Sequence, residues 1–528
     1  MNTPMKHLLV ISTFLLSALM AQSQVDACPP RPAPSSIVTD PVELRSTGGK
    51  LSVDLTMLNT TDQSGNPQYC YALTNTAEAP LLRLNPGDEL VIKLKNMLTT
   101  LPGSMPGMQH GSSTSGPCAG GSMSSASTNI HFHGLNIPPT CHQDEVIKTS
   151  IEPTDPPFVY DIRIPKNDPP GLYWYHPHPH GFTTTQITGG AAGPLIIDGI
   201  EQMAPEAAGL PERVFVIRQV NLKPPPPPGV KPPDNDTAAL SINFVPAFEK
   251  LAPPQILVKP SQRQLWRVVN ATSIYFLALQ LQVQTSPLEL RLQGLDGIPL
   301  AQARNTTTVV IPPAGRAEFI VPGLAANTSA QFVNLGYDTG PDGDPNLSSL
   351  LASVVPSDSA PEPAHKIPAA ASHATLKRFV NLSNTAPSAR RFLYFSEQVA
   401  GDGSTKFFIT VKGQVPRLYD PDEPPAIVTR QGRVEDWTIE NHSQEVHAFH
   451  LHQLHFVVIE ENGQPTHDPA LRDTVVMPYW DGKSGYPHIT VRVDFRDPET
   501  VGTFLYHCHI LDHEDGGMMA KIRVLPAK

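Results

Sequence analysis

Twelve of the 20 histidines in this 528-residue chain fall in four short windows: HFH at 131–133, HPHPH at 176–180, HAFHLHQLH at 447–455 and HCHILDH at 507–513. Neutral imidazoles paired on a strand, with a thiolate among them, are natural ligands for copper or zinc. A single H-x-H is ordinary on a surface strand with two spare histidines, but four such windows in one chain point to metal chemistry. Alternate side chains of a strand face opposite ways. His507 and His509 therefore share one face and Cys508 takes the other, while His450 and His452 share a face and His447 has the opposite parity. On neighbouring strands, His447 would meet Cys508 on one side, with His450, His452, His507 and His509 on the other.

Two metal sites follow, joined through Cys508 and its two neighbours. Cys508, His447 and His513 supply a thiolate and two imidazoles, and Met518 is placed as a weak axial thioether, with Met519 as the alternative. Two His, one Cys and a long Met make a blue-copper electron-transfer site. A structural zinc would accept the same His and Cys ligands but would not need the connection to a second cluster. That cluster draws on His131, His133, His176, His178, His450, His452, His507 and His509. Eight imidazoles are too many for one ion; three coppers, two with three ligands and one with two, use them all.

Such ligands need rigid strands to hold them. Three segments align without gaps, PGDELVIKLKN at 86–96, PSQRQLWRVVN at 260–270 and QGRVEDWTIEN at 431–441, each a turn, an alternating strand and a closing Asn. Short strand-like runs between turn clusters recur elsewhere, among them Leu195–Asp198, Arg213–Ile217, Thr308–Ile311, Glu318–Val321 and Ile489–Phe495. The 58 prolines exclude long helices yet suit turns and edge strands. With 40% hydrophobic residues the chain can build cores and is not disordered. The expectation is an all-β protein of three consecutive β-sandwich domains, at 25–200, 201–355 and 388–528. A proline-rich linker is expected at 356–387, a rigid surface loop at 223–233, and a mobile Gly/Ser/Met-rich insertion at 103–126.

The balance of 38 basic against 49 acidic residues leaves a net charge of −11, with no basic tract for a phosphate backbone, so nucleic acid is excluded as a partner. Residues 1–24 read as an export signal: Lys6 and His7 precede the apolar run Leu8–Ala21, which is too short to span a membrane. A periplasmic or extracellular location is therefore expected. Lipid attachment at Cys28 is a second reading of the same region. Cys28, Cys70, Cys118 and Cys141 form two disulfides in one of three pairings, leaving Cys508 over. Eight Asn-x-Ser/Thr sequons, including Asn59, Asn235 and Asn327, would be glycosylated only in a eukaryotic secretory route.

At the histidine windows the sequence resembles the multicopper oxidases, the family of laccase, ascorbate oxidase and bilirubin oxidase. Its four signatures occur in order as HFHG at 131–134, WYHPH at 174–178, HAFHLH at 447–452 and HCHILDHEDGGMM at 507–519. The resemblance implies three cupredoxin-like Greek-key sandwiches and four coppers per chain: one type 1, one type 2 and two type 3. By this pattern His131 and His450 hold type 2. His133, His176, His178, His452, His507 and His509 hold the type 3 pair, and His447, Cys508, His513 and Met518 hold type 1. Glu514 resembles an acid that delivers protons to the cluster, with Asp144 and Glu145 as weaker candidates. His447-Ala448 replaces the usual His-Pro, and His180 and His455 are extra histidines expected outside the ligand set.

The implied activity is laccase-like: a monomer couples one-electron oxidation of a phenol, aromatic amine or metal ion to four-electron reduction of dioxygen to water. Reductant would meet the protein near His447 or His513, and electrons would pass through Cys508 to His507 and His509. An axial thioether implies modest oxidising power. The alternatives are a Cu(I)/Fe(II) metallo-oxidase serving copper tolerance, drawing on Met105, Met108, His110 and Met123, and a non-catalytic copper-binding scaffold. A copper nitrite reductase would need fewer histidines.

Overall fold

The computed structural model describes residues 27–528 apart from 63–64, 101–115, 122, 222–237, 364, 369–375, 377 and 402. The export-signal, Lys223–Pro233 and Asn235 readings, and those on Met105, Met108 and His110, lie outside the described residues.

Alternating sequences become half-buried strands: in Phe158–Arg163 (FVYDIR) every second side chain is buried and the others face water. Among the described residues six sheets result, packed in three pairs. In the first pair, the sheet Glu43–Arg45, Leu81–Leu84, Gly193–Ile197, Gly171–His176 and His131–His133 faces the sheet Ala77–Glu78, Pro67–Thr74, Lys50–Thr61, Glu89–Asn96 and Phe158–Arg163. A core around Phe132, Tyr160, Tyr173 and Tyr175 fills the space between them. The second pair encloses Trp266, Phe319 and Phe332. The third sets the sheet Ile427–Arg430, Met519–Leu525, Gly502–Cys508, His447–Leu451 and Thr474–Met477 against one built on Ala389–Val399, Val434–Asn441 and His488–Asp494. Trp437, Phe449 and Tyr506 lie in its core.

The three aligned segments are one structural device used three times. Each strand (Glu89–Asn96, Gln264–Asn270, Val434–Asn441) runs parallel to one neighbour and antiparallel to another. Each closing Asn is buried and turns its amide back on the chain. Asn96 Nδ2 donates to the carbonyls of Ala126 and Ile151, Asn270 Nδ2 to those of Tyr275 and Ile311, and Asn441 Nδ2 to those of Glu445 and Pro478. Each Oδ1 accepts the N–H two residues on, from Leu98, Thr272 and Ser443. The sequons at Asn270 and Asn441 therefore have no free amide to carry a glycan.

In the 356–387 connection His365–Lys366 pairs with Pro211 and Glu212, and Phe379 and Leu382 pack with Ile298, Val434 and Val457. The described part of the 103–126 segment is also anchored, because Cys118 bonds to Cys141 and the sulfur of buried Met123 accepts the His180 N–H at 3.0 Å. Cys28 pairs with Cys70, so its sulfur is not available for a lipid.

The asparagine device generates a stability prediction away from the histidines. Asn270→Ala strands two buried carbonyls and one N–H, and should cost about 2–3 kcal/mol. Asn270→Asp should do similar harm, since a carboxylate cannot donate. Urea or thermal unfolding of the full chain checks this; an unchanged midpoint in both variants would show that the amide carries no stability.

Candidate metal centres

Each of the four histidine windows begins on a strand, and the four strands form two neighbouring pairs. In the first sandwich His131–His133 lies antiparallel to Gly171–His176, with His131 opposite His176. In the third, His447–Leu451 lies antiparallel to Gly502–Cys508, with His450 opposite His507 and Phe449 opposite Cys508. Opposite residues share a face, so Cys508 has the orientation of His447, and His507 that of His450. On the far side of the same strand Gly502–Cys508, His507 is registered with Met519. Continuing that register sets Met518 opposite Cys508, and the Cys508 N–H donates to the Met518 carbonyl at 3.1 Å. Met518 joins the core around Cys508, whereas Met519 packs against Val146 and Leu505 on the other face.

On the Cys508 side, His447 Nδ1 and His513 Nδ1 stand 3.2 Å apart and 3.6 and 3.8 Å from Cys508 Sγ. The Ser443 hydroxyl donates to Asn441 Oδ1, which leaves its oxygen to accept from His447 Nε2 at 2.7 Å. The outer nitrogen of His447 thus carries the proton and Nδ1 turns its lone pair toward the thiol. Burial holds both imidazoles below their usual pKa and pushes the Cys508 thiol far up, so a thiolate here requires a cation beside it.

On the other face, eight buried imidazoles converge where the first and third sandwiches meet. His131, His133 and His450 form one group of closely spaced ligand atoms, His133, His176 and His509 a second, and His178, His452 and His507 a third. His452 Nε2 and His507 Nε2 are 3.0 Å apart, the spacing of two nitrogens each held about 2 Å from one first-row ion. Burial, with charge repulsion among the rings as a further cause, depresses their pKa values, to about 3 for His176 and His507. They are therefore neutral, as ligands must be.

The outer nitrogens are fixed by acceptors. His131 Nδ1 donates to Asp144, His176 Nδ1 to the Pro177 carbonyl, His507 Nδ1 to the Cys508 carbonyl and His450 Nδ1 to the Asp473 carbonyl. The inward atoms His131 Nε2, His133 Nδ1, His176 Nε2 and His450 Nε2 are buried with no hydrogen-bond partner. Leaving several such atoms unmet would cost about 1–3 kcal/mol each. Bound metal removes that cost, and a soft thiolate beside imidazoles on one face with imidazole triads on the other fits copper.

The remaining candidates take varied places. Glu514 lies between the rings, its Oε1 3.5 Å from His178 Nε2 and its Oε2 3.2 Å from His507 Nδ1. Asp144 contacts His131, the Phe132 N–H and Gln453. Glu145 faces away, binding the Lys148 N–H and the Thr149 hydroxyl. His455 is buried outside every ligand group and donates to the Asp296 carbonyl, and His180 stands edge-on to Tyr419. Neither extra histidine is therefore a freely exposed side chain. Sequence reading missed the residues that aim the ligands: Ser443, Asp473, Arg316, and the carboxylates Glu397 and Glu445, which approach His447 and His513 at 3.4 and 3.5 Å. Ser443 and Glu445 were traceable by their nearness to His447, but Arg316 comes from the second sandwich with no local signal.

Multicopper oxidase family models match residues 122–202 and 397–528. The multicopper oxidase mco of Staphylococcus haemolyticus is 23% identical over 460 residues, covering 84% of this chain and 81% of that protein. A laccase of Bacillus subtilis is 23% identical over 432 residues, 74% of this chain and 78% of its own. Among solved structures, a Campylobacter jejuni multicopper oxidase described as a metallo-oxidase superposes with a TM-score of 0.69 at 21% identity, over 94% of this chain and 96% of that one. Matched at both histidine regions and alike in fold along nearly its whole length, the chain belongs to the multicopper oxidase family.

Proposed function

We propose that this protein is a laccase-like copper oxidase, coupling one-electron oxidation of phenols, aromatic amines or metal ions to the reduction of dioxygen to water. The observation that carries the reading is the strand Gly502–Cys508 with His509: Cys508 faces one centre while His507 and His509, bonded on either side of it, face the other. In this reading His447, Cys508, His513 and Met518 hold type 1 copper. His131 and His450 hold type 2, and the two triads His133, His176, His509 and His178, His452, His507 hold the type 3 pair. Four coppers so placed would supply four one-electron stores, matching the four electrons that, together with four protons, turn one dioxygen into two waters.

The residues of the chain set the terms of that chemistry. His447 is wholly buried and His513 is 4% exposed, so a reductant approaches the edge of His513, where Phe407 stacks at 4.1 Å and Glu445 lies alongside. Burial, with the charges of Glu397, Asp344 and Asp342, pushes the Glu445 carboxyl up to about 9, so it stands beside this approach as a neutral acid; the carboxylates around it support electron-rich or cationic reductants. Cys508 offers a through-bond path to both flanking histidines. Glu514, buried between His178 and His507, is placed to hold a proton at its carboxyl and pass it inward. The similar Campylobacter jejuni protein, described as a metallo-oxidase, supports metal ions among the substrates. Export to the periplasm or exterior belongs to the same reading, supported by the sequence of residues 1–24 and by the two disulfides. Among the described residues no helix is long and apolar enough to cross a membrane.

Copper content and spectra test the assignment. The native chain should hold about four coppers and show a blue band with both type 1 and type 2 signals in spin resonance. Cys508→Ser should keep about three coppers, lose the blue band and consume oxygen at less than about a thousandth of the native rate. Retention of the blue band in that variant would remove Cys508 from the type 1 site. A second variant separates proton supply from electron entry. Glu514→Gln should slow steady-state oxygen consumption by roughly 100-fold, while anaerobic bleaching of the blue band by dimethoxyphenol keeps its native rate. Equal slowing of both steps would place Glu514 outside proton supply.

A further inference from the structure

Among the described residues the second sandwich provides none of the grouped ligand atoms, yet one of its side chains reaches the cluster. Arg316 opens the strand Arg316–Val321 and is wholly buried. Its Nη1 and Nη2 donate to the two carboxylate oxygens of Asp473 at 2.8 and 2.6 Å, a bidentate pair, and its backbone N–H is held by Asp296 Oδ1 at 2.9 Å. Nε reaches the Leu172 carbonyl of the first sandwich at 3.3 Å. Asp473 belongs to the third sandwich, directly before the strand Thr474–Met477 that pairs with the histidine strand.

Asp473 touches two predicted ligands through different atoms. Its Oδ1 lies 3.3 Å from His133 Nε2, and its backbone carbonyl accepts from His450 Nδ1 at 2.9 Å. These are the outer nitrogens of the two rings; the inner ones, His133 Nδ1 and His450 Nε2, are the buried atoms without partners. A carboxylate and a carbonyl can only accept, so Asp473 keeps a proton on the outward nitrogen of both imidazoles and a lone pair on the inward one. The two rings stack with centroids 4.0 Å apart, so tilting one disturbs the other. Gly134, next to His133 at φ +88°, leaves the necessary room: a Cβ there would collide with the Arg316 guanidinium and lie 2.8 Å from Asp473 Oδ2. This gives a physical reason for the glycine that closes HFHG.

We propose that Arg316 and Asp473 are positioning residues through which the second sandwich fixes the tautomer and orientation of His133 and His450. The proposal rests on the copper reading above. Removing such an outer contact to a metal ligand typically weakens binding 10–100-fold. The type 1 ligands make no contact with either residue, so the blue band serves as an internal control for folding.

The test compares the native chain with Arg316→Lys, which keeps the charge but not the fork, and with Asp473→Asn, which keeps the shape. Copper retained against a chelator, the type 2 spin-resonance signal and blue absorbance are measured on all three. Both variants should keep the full blue band, lose cluster copper at roughly 10–100-fold lower chelator concentration, and show altered type 2 hyperfine splitting. In the metal-free protein, imidazole nitrogen spectra should show His133 changing from one tautomer to a mixture in Asp473→Asn. Native-like retention and type 2 signals in both variants would overturn the proposal alone. So would parallel loss of the blue band and cluster copper, which marks a merely structural role. A native chain that takes up no cluster copper would overturn the underlying reading as well.

Discussion

The structure is organised around a costly interior: eight neutral imidazoles packed together at a buried seam, several of them with inward nitrogens that no hydrogen bond meets. Water would satisfy those atoms cheaply in an unfolded chain, so the folded protein must supply a compensating partner or accept the penalty. Everything near the seam reduces the freedom of the rings to escape. Asp144, Asp473 and the carbonyls of Pro177 and Cys508 hold outer nitrogens, and β-ladders hold the backbones. A site prepared in this way pays little reorganisation when metal enters.

Two faces of one strand then solve a second problem, which is how to separate electron entry from oxygen chemistry while keeping them connected. Cys508 turns into the third sandwich's core beside Met518, Phe449 and Tyr506, a dry environment that disfavours a free thiolate. His507 and His509 turn out of that core to the seam. The change of environment takes place across single residues, because side-chain direction alternates with period two. A helix would not set His507 and His509 together opposite Cys508, because its successive side chains turn by about 100°.

That same alternation explains what could be read in the chain. His447 and Cys508 on one face, with His450 and His507 on the other, follow from residue parity once the strands are neighbours, and the three Asn-closed segments announced the sandwiches. The cluster composition was legible because its ligands sit in H-x-H pairs on strands or within two residues of a strand end. What aims them was not. Arg316 lies 134 residues before His450 and 183 after His133, belongs to no motif, and nothing local marks it as different from Arg213 or Arg267. Contacts of that kind depend on how whole sandwiches dock, which periodicity does not encode. The packing of the 356–387 connection was hidden for a similar reason: proline content reports that the segment lacks long regular structure, but Phe379 and Leu382 reveal their contacts only beside Val434 and Val457.

The docking itself has two characters. Apolar surface joins the first and second sandwiches, where Leu172, Trp174 and Ile196 meet Val214, Val269 and Ala314. Buried charge then sets their alignment: Arg83 and Arg267 share Glu212, and Arg267 also reaches Glu318. Dry ion pairs contribute little net stability once desolvation is counted, but a misaligned pair leaves a buried charge unmatched and is strongly disfavoured. Between the first and third sandwiches the division is the same. Asp515 accepts the N–H groups of Thr183 and Thr184 from the first sandwich, one residue beyond Glu514. Gln453 reaches across to Asp144. Such contacts select one relative position among many of similar apolar burial. The cluster requires that selectivity, because imidazoles contributed by two separate sandwiches can converge on shared ions only if the sandwiches meet within a fraction of an ångström.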